Sequence, residues 1–325
     1  MSDRAIVIHR TGGPEVLAFE AVQAQRPGPG EVRLRHTAIG VNFIDIYHRT
    51  GLYDLPLPTG LGVEATGVID AVGIGVTDFA VGDRVGYGLG LVGAYSTARV
   101  MSVDRLLRLP DDITDETAAS ILLKGLTAWY LLRRLHRVTP GESILVYAAA
   151  GGVGSILTQW ARCLGARVIA AVGSTEKAER ATEYGADAVI LYRQEDVAAR
   201  VRALTGGQGV SVVYDAVGRD TIDASLDSLK HFGLMVSFGN ASGPVPPVSP
   251  LTLMAKGSLF LTRPLLAHYV EDRSELQAGA AELFDRVLAG EIRPIIGQRF
   301  RLAEAAQAHR AIEGGGTLGS TILLP

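Results

Sequence analysis

Hydrophobic and polar positions alternate in short runs through the first third of the chain. The runs at 5–10, 31–41, 65–73, 83–88, 93–100 and 106–110 interleave Val, Ile and Leu with polar residues and are parted by Gly, Pro and Asp. This alternation predicts half-buried antiparallel strands, folded over as a barrel. After about residue 112 the period changes. Residues 114–135 have helical spacing and open on Thr114 and Asp115, good N-cap types. Strand-like runs at 143–148, 167–172, 188–191, 210–215 and 233–238 then alternate with helical runs at 152–164, 175–184, 194–204 and 219–231. That cadence predicts a doubly wound parallel sheet. A proline-rich connector at 242–250 leads to a further strand at 258–262. The tail offers a helix at 273–289, a strand near 295–302, a helix near 303–313 and a final strand from Ser320.

The chain of 325 residues suits about two domains of ~100–200 residues each. The tail is too short to bury much core alone, so it is expected to rejoin the first domain. The reading is an α/β protein: a β-rich domain of residues 1–125 completed by 266–325, with a parallel-sheet domain at 126–265. Formal charge is −3 with both signs interspersed, and no basic block speaks for nucleic acid. The single cysteine, Cys163, excludes an intrachain disulfide and a Cys-rich zinc lobe. It is compatible with a reducing, cytoplasmic compartment. The N-terminal residues are too few and too charged for a signal peptide. Residues 143–161 carry no charge and have the length of a membrane span. Gly151, Gly152 and Gly154 interrupt them, so strand, turn and helix are expected there and membrane insertion is not.

That segment is the most informative in the chain. An apolar strand ends at Ala148, a glycine turn follows, and a helix carries Ile156, Leu157, Trp160 and Leu164. The fingerprint G-x-G-x-x-G stands as Ala149-x-Gly151-x-x-Gly154, with alanine at its first position. Glycines in this turn let the backbone approach a pyrophosphate and let helix and strand pack closely. The helix start, with Gly152 and Val153, offers free N–H groups and a partial positive charge to the diphosphate. A dinucleotide is therefore expected.

The second strand selects which one. NAD-binding sheets end it on Asp or Glu, which takes the ribose 2′-hydroxyl. Here it ends on Gly173 and Ser174, followed by Lys177 and Arg180. A hydroxyl and an ammonium suit a 2′-phosphate. Two charge-assisted hydrogen bonds at about 1.5–3 kcal/mol each favour NADPH by roughly 100-fold or more. The competing reading is a solvated helix face with Glu176 paired to Arg180.

With these residues in view the chain resembles the medium-chain dehydrogenase/reductases, and within them the NADPH:quinone oxidoreductases, the group that includes zeta-crystallin. The matching stretches are VNFIDIYHRTGLY (41–53), GLGVEATGVI (60–69), GDRVGY (82–87), LLKGLTAWYLL (122–132), AAAGGVG (148–154), VVYDAVGRDT (212–221), GLMVSFGNASG (233–243) and TRP (262–264). The resemblance implies a GroES-like catalytic domain, a Rossmann domain, an active site in the cleft between them, and a homodimer joined through Rossmann edge strands. It implies Asn42, Lys124 and Thr127 near the cofactor and Tyr47 and Tyr53 near nicotinamide or quinone. It places Gly173, Ser174, Lys177 and Tyr192 around the adenosine phosphate, and Phe238, Asn240 and Ser242 on the nicotinamide side. Some relatives also reach the cofactor with a basic residue near the C-terminus. Here that segment reads EGGGTLGS.

The related zinc alcohol dehydrogenases carry a metal-binding His just before the acid that corresponds to Glu64. Here the position is Val63. An alkyl group binds no metal, and the seven His form no metal-like spacing. A quinone suits such a site, because its electron-poor carbonyls accept hydride without a Lewis acid. Tyr47 and Tyr53 are the candidate donors to its oxygen, with Asn42 orienting the nicotinamide or acceptor. Structural readings stand beside these. Asn42 and Asp45 fit an N-cap and N3 pair, Asp45 and Arg49 an i,i+4 ion pair, and the tyrosines fit a core edge. Lys124, in an apolar run, calls for an anion nearby. Two other functions remain open: reduction of activated C=C bonds in enals or enones, and an RNA-binding or structural role of the crystallin kind.

Overall fold

A computed structural model describes residues 3–325. The chain divides into two compact units. The first holds the described residues up to Leu126 together with Val270–Leu288 and Pro294–Pro325. The second holds Thr127–Tyr269 and Ala289–Arg293.

The first unit is built on a seven-stranded sheet. Its order runs Ile296–Arg301, Ser320–Leu324, Glu31–Val41, Glu64–Val72, Arg84–Tyr87, Leu107–Arg108, with Ala98–Ser102 paired onto Glu31–Val41. The strand Glu31–Val41 explains the arrangement. Its first residues alternate between buried and open positions, and from Ala38 onward all are buried. A half-solvated strand thus becomes fully enclosed where it pairs with the final strand. Val32, Leu34, Ile39, Val85 and Leu323 meet in the core. A smaller sheet of Ala18–Val22, Asp3–Ile8 and Thr59–Gly60 completes the unit.

The second unit carries six parallel strands: Ala188–Leu191, Arg167–Val172, Ser143–Tyr147, Val210–Asp215, Leu229–Ser237 and Phe260–Thr262. Numbered along the chain this is the order 3-2-1-4-5-6 of the dinucleotide-binding sheet. The strand order reverses between Ser143–Tyr147 and Val210–Asp215, the position where ligands of such sheets bind. Leu145, Tyr147, Ile169, Val213 and Met235 form one side of its core. Among the described residues no helix is long and apolar enough to cross a membrane.

Four elements depart from the sequence pattern. The run at 93–100 pairs as a strand only over Ala98–Ser102. Ahead of it, Tyr95 is buried; its N–H donates to the Leu61 carbonyl and its carbonyl accepts from the Ile6 N–H, both at 2.8 Å. The helix expected over 114–135 is α-helical over Asp115–Tyr130 and finishes as a π turn, Leu131–Leu135. The helix expected over 219–231 is confined to Ile222–Asp227, because the next strand already begins at Leu229. Phe232 in that strand has φ 60°, a bulge that the apolar spacing does not reveal. The connector at 242–250 runs into a short helix, Pro250–Ala255, capped by Ser249.

Candidate functional site

The sequence places an acid, an amide and a lysine far apart; the first unit brings them together. Glu64 opens its strand and is fully buried. Its Oε2 accepts from Asn42 Nδ2 at 2.9 Å and from Lys124 Nζ at 3.0 Å, and its Oε1 accepts from the Leu123 N–H at 2.7 Å. Gly40 makes the room: a Cβ there would lie 2.1 Å from Glu64 Oε2 and 2.4 Å from the Ala119 carbonyl. The anion demanded by Lys124 is therefore Glu64, a protein carboxylate. Glu64 is the hub of the cluster.

Asn42 is the N-cap of the helix Phe43–Thr50 and Asp45 is its N3 residue. Asp45 Oδ2 accepts from the Asn42 N–H at 2.8 Å, as the capping pattern predicts. The i,i+4 pair of Asp45 with Arg49 does not form. Both side chains are buried, and Tyr95 and His309 are inserted between them. The Tyr95 hydroxyl donates to Asp45 Oδ2 at 2.9 Å and lies 3.1 Å from His309 Nε2, while Arg49 donates to His309 Nδ1 at 3.2 Å and pairs with Glu313. Burial pushes the Asp45 carboxyl up to about 7, against the hydrogen bonds from Asn42 and Tyr95. Burial, then the Arg49 charge, push His309 down to about 3, so the imidazole is neutral and passes a hydrogen bond from Arg49 towards Tyr95.

Tyr47 is buried on the same helix, and its ring meets that of half-buried Tyr53 edge-on at 5.2 Å. The Tyr53 N–H donates to the Tyr47 carbonyl at 3.1 Å, which folds the chain back after the helix. The two tyrosines thus form one aromatic unit, next to Phe43 and His48.

In the second unit the strand Ser143–Tyr147 leads into the glycine turn. Ala148 has φ 52°, a left-handed conformation uncommon for a residue with a side chain. No sequence signal marks it. Gly151 is the N-cap of the helix Gly152–Cys163, with no side-chain cap, so the first N–H groups of Gly152, Val153 and Gly154 are left for another acceptor. Gly154 is sterically fixed: a Cβ would stand 2.1 Å from the Ala148 carbonyl oxygen. Thr127 lies half-buried on the helix Asp115–Tyr130.

The loop with Phe238, Asn240 and Ser242 is pinned to the turn after Val210–Asp215. Asp215 is buried and accepts from Val217 N, Gly218 N, Thr221 Oγ1 and Ser225 Oγ at 2.7–3.0 Å. Ser242 N donates to the Val217 carbonyl at 2.8 Å, and the Ser242 hydroxyl joins Val217 O to Asp220 N. Ser242 thereby fastens the loop. With the Asn240 amide oxygen turned to Arg263, Nη2 donates to it at 3.1 Å, and Arg263 Nη1 donates to the Ser237 carbonyl at 2.8 Å. Asp215 ties down the turn and helix that directly follow it, whereas Arg263 reaches back to the distant Ser237 and Asn240. The Phe238 N–H donates to the Asp215 carbonyl at 2.9 Å.

At the end of Arg167–Val172, Ser174 caps the helix Thr175–Glu183 by accepting from the Lys177 N–H at 3.4 Å. Lys177 is half-buried, and Tyr192 lies beside Gly173, its hydroxyl 3.3 Å from where a Gly173 Cβ would be. Glu176 does not pair with Arg180, which binds Glu183 at 2.7 Å.

Fold and site define an oxidoreductase of the alcohol dehydrogenase class, with a GroES-like β domain and a dinucleotide-binding sheet. Residues 28–111 match the alcohol dehydrogenase GroES-like domain, and residues 152–284 match the zinc-binding dehydrogenase family. The chain is 53% identical over 315 residues to the quinone oxidoreductase of Pseudomonas aeruginosa, covering 97% of each. It is 47% identical to the 2-haloacrylate reductase of a Burkholderia species, covering 99% of this chain and 98% of that one. The solved structure of Escherichia coli quinone oxidoreductase complexed with NADPH superposes with a TM-score of 0.98 at 46% identity, over 99% of this chain and all of that one. The chain belongs to the quinone oxidoreductase family.

Proposed function

We propose that the protein reduces quinones with NADPH and uses no metal in doing so. The observation that carries this reading is the Glu64 cluster. One of the matching families is described as zinc-binding, yet the donor set here does not suit zinc. Val63 is an alkyl group, Lys124 is a cation, and Glu64 already accepts three hydrogen bonds. Cys163 lies on the helix of the second unit. Among the described residues no group of three His, Cys, Asp or Glu side chains is placed to hold a metal.

The residues that would hold NADPH are the N–H groups of Gly152, Val153 and Gly154 for the diphosphate, and Ser174, Lys177 and Tyr192 for the adenosine phosphate. Within the second unit, Thr127 and the loop of Phe238, Asn240 and Ser242 would hold the nicotinamide half. When bound, NADPH supplies the hydride. Tyr47 and Tyr53 then offer hydroxyl donors to the oxygen on which charge develops, and Asn42, fixed by Glu64, sets the orientation of the ring or acceptor. An electron-poor acceptor is what such a site requires. The test is initial rates of NADPH oxidation with benzoquinone, naphthoquinones and short enones. Quinones are expected to be the faster acceptors. A marked preference for the enones would favour the second reading, reduction of activated C=C bonds, which the similarity to a 2-haloacrylate reductase supports.

We also propose a homodimer through the edge strand Phe260–Thr262. Phe232, Phe260 and Leu261 are exposed there, and a groove of about 540 Å³ is lined by them with Leu135 and Leu234. An unpaired apolar edge invites strand addition by a second copy. Phe260→Glu is expected to halve the particle mass in light scattering; an unchanged mass would place the interface elsewhere or remove it.

A further inference from the structure

The end of the second parallel strand is where a sheet of this type meets the ribose 2′ group of its dinucleotide. Around that point the second unit gathers more positive charge than the sequence pattern suggested. Tyr192 and Arg193 are neighbours in the chain, yet both turn onto Gly173. A Cβ at Gly173 would lie 3.3 Å from Tyr192 Oη and 3.4 Å from Arg193 Nε. The Arg193 guanidinium lies 5.9 Å from the centroid of the Tyr192 ring. Arg193 is exposed, and among the described residues no carboxylate is paired with it. It stands close enough to Lys177 to help lower the affinity of that ammonium for its proton; burial of Lys177 is the larger cause, and Glu176 opposes both. Ser174 adds the N-terminus of the helix Thr175–Glu183 to the same spot.

We propose that Arg193 is a specificity-determining residue that shares the 2′-phosphate of the cofactor with Lys177. The inference rests on the reading of NADPH as the cofactor. Two like charges near one strand end repel in the free protein. A phosphate dianion between them removes the repulsion and takes charge-assisted hydrogen bonds from both. A 2′-hydroxyl does neither, so the pair discriminates by its empty-state cost as well as by its contacts. The planar guanidinium on the Tyr192 ring limits the side-chain freedom lost on binding. The competing account is a solvated arginine that merely rests on Tyr192.

The test uses the purified full-length protein and equilibrium titration with NADPH, NADH and 2′,5′-ADP, at low and moderate salt. Arg193→Ala is expected to weaken NADPH and 2′,5′-ADP by about ten-fold or more and to leave NADH within about two-fold. The loss is expected to shrink as salt rises. Lys177→Ala is expected to act in the same direction, and the two losses to be less than additive when combined, because each cation also repels the other. Circular dichroism checks that the variants are folded. Full NADPH affinity in Arg193→Ala, or an equal loss for NADH, would overturn the assignment while leaving NADPH as the cofactor. A wild-type protein that binds NADH as well as NADPH would overturn the cofactor reading and the assignment with it.

Discussion

Gly154→Val is expected to abolish NADPH binding while the protein still folds. The smallest side chain already fails to fit, since a Cβ would meet the Ala148 carbonyl oxygen at 2.1 Å and Ala149 Cα at 2.8 Å. The helix Gly152–Cys163 must then move off the strand end. Ala148 cannot yield easily, because it already holds a left-handed conformation at φ 52°. Overpacking of this kind costs about 1–3 kcal/mol, which a domain with a full core tolerates. The N–H groups proposed to face the diphosphate are displaced with the helix, and they act only when pre-aligned. A loss of at least ~100-fold in affinity is expected from removing two or more charge-assisted bonds. Fluorescence titration measures it, with the thermal midpoint as the check on folding. A variant that binds NADPH within a few-fold of wild type would mean that the turn is not where the diphosphate rests.

The second large effect concerns stability. Glu64→Gln is expected to destabilise the first unit by about 3–5 kcal/mol, the usual cost of stranding one partner of a buried ion pair. Lys124 is only 5% exposed, and Glu64 is its one described hydrogen-bond partner. The amide keeps the size of the carboxylate, so the loss reports charge rather than packing. Replacing both members, as Glu64→Gln with Lys124→Met, is expected to recover most of the stability, since buried pairs are near break-even against apolar groups. Activity is not expected to return with it, because the Lys124 ammonium is then gone and Asn42 is no longer held by a carboxylate. Urea midpoints and rates measured together separate the two effects. A single variant within about 0.5 kcal/mol of wild type would show that the pair is not buried in solution.

The parallel sheet was legible because its strands are apolar runs of the right length, spaced by helices, and because the glycine turn sits between two of them. Short-range patterns carried that much. The boundaries that moved did so for non-local reasons. Tyr95 left its strand to bond Leu61 and Ile6, and the helix after Val210–Asp215 was cut short by a strand whose bulge lies at Phe232. The buried polar cluster was legible in single residues but not as a constellation. Asn42 and Lys124 stood out as polar residues in apolar surroundings, yet nothing along the chain said that Glu64 joins them. Asp45 and Arg49 show the limit of helical spacing as a guide. They are four apart on one helix and still do not pair, because Tyr95 and His309, from distant parts of the chain, occupy the space between.

The proposed reaction is hydride transfer without a metal ion. The most direct measurement is NADPH-driven benzoquinone reduction by protein exhaustively dialysed against a strong chelator, with metal content determined on the same sample. Turnover per folded chain is expected to equal that of untreated protein at a metal content far below one ion per chain. Loss of turnover on chelation, restored by added zinc, would contradict it.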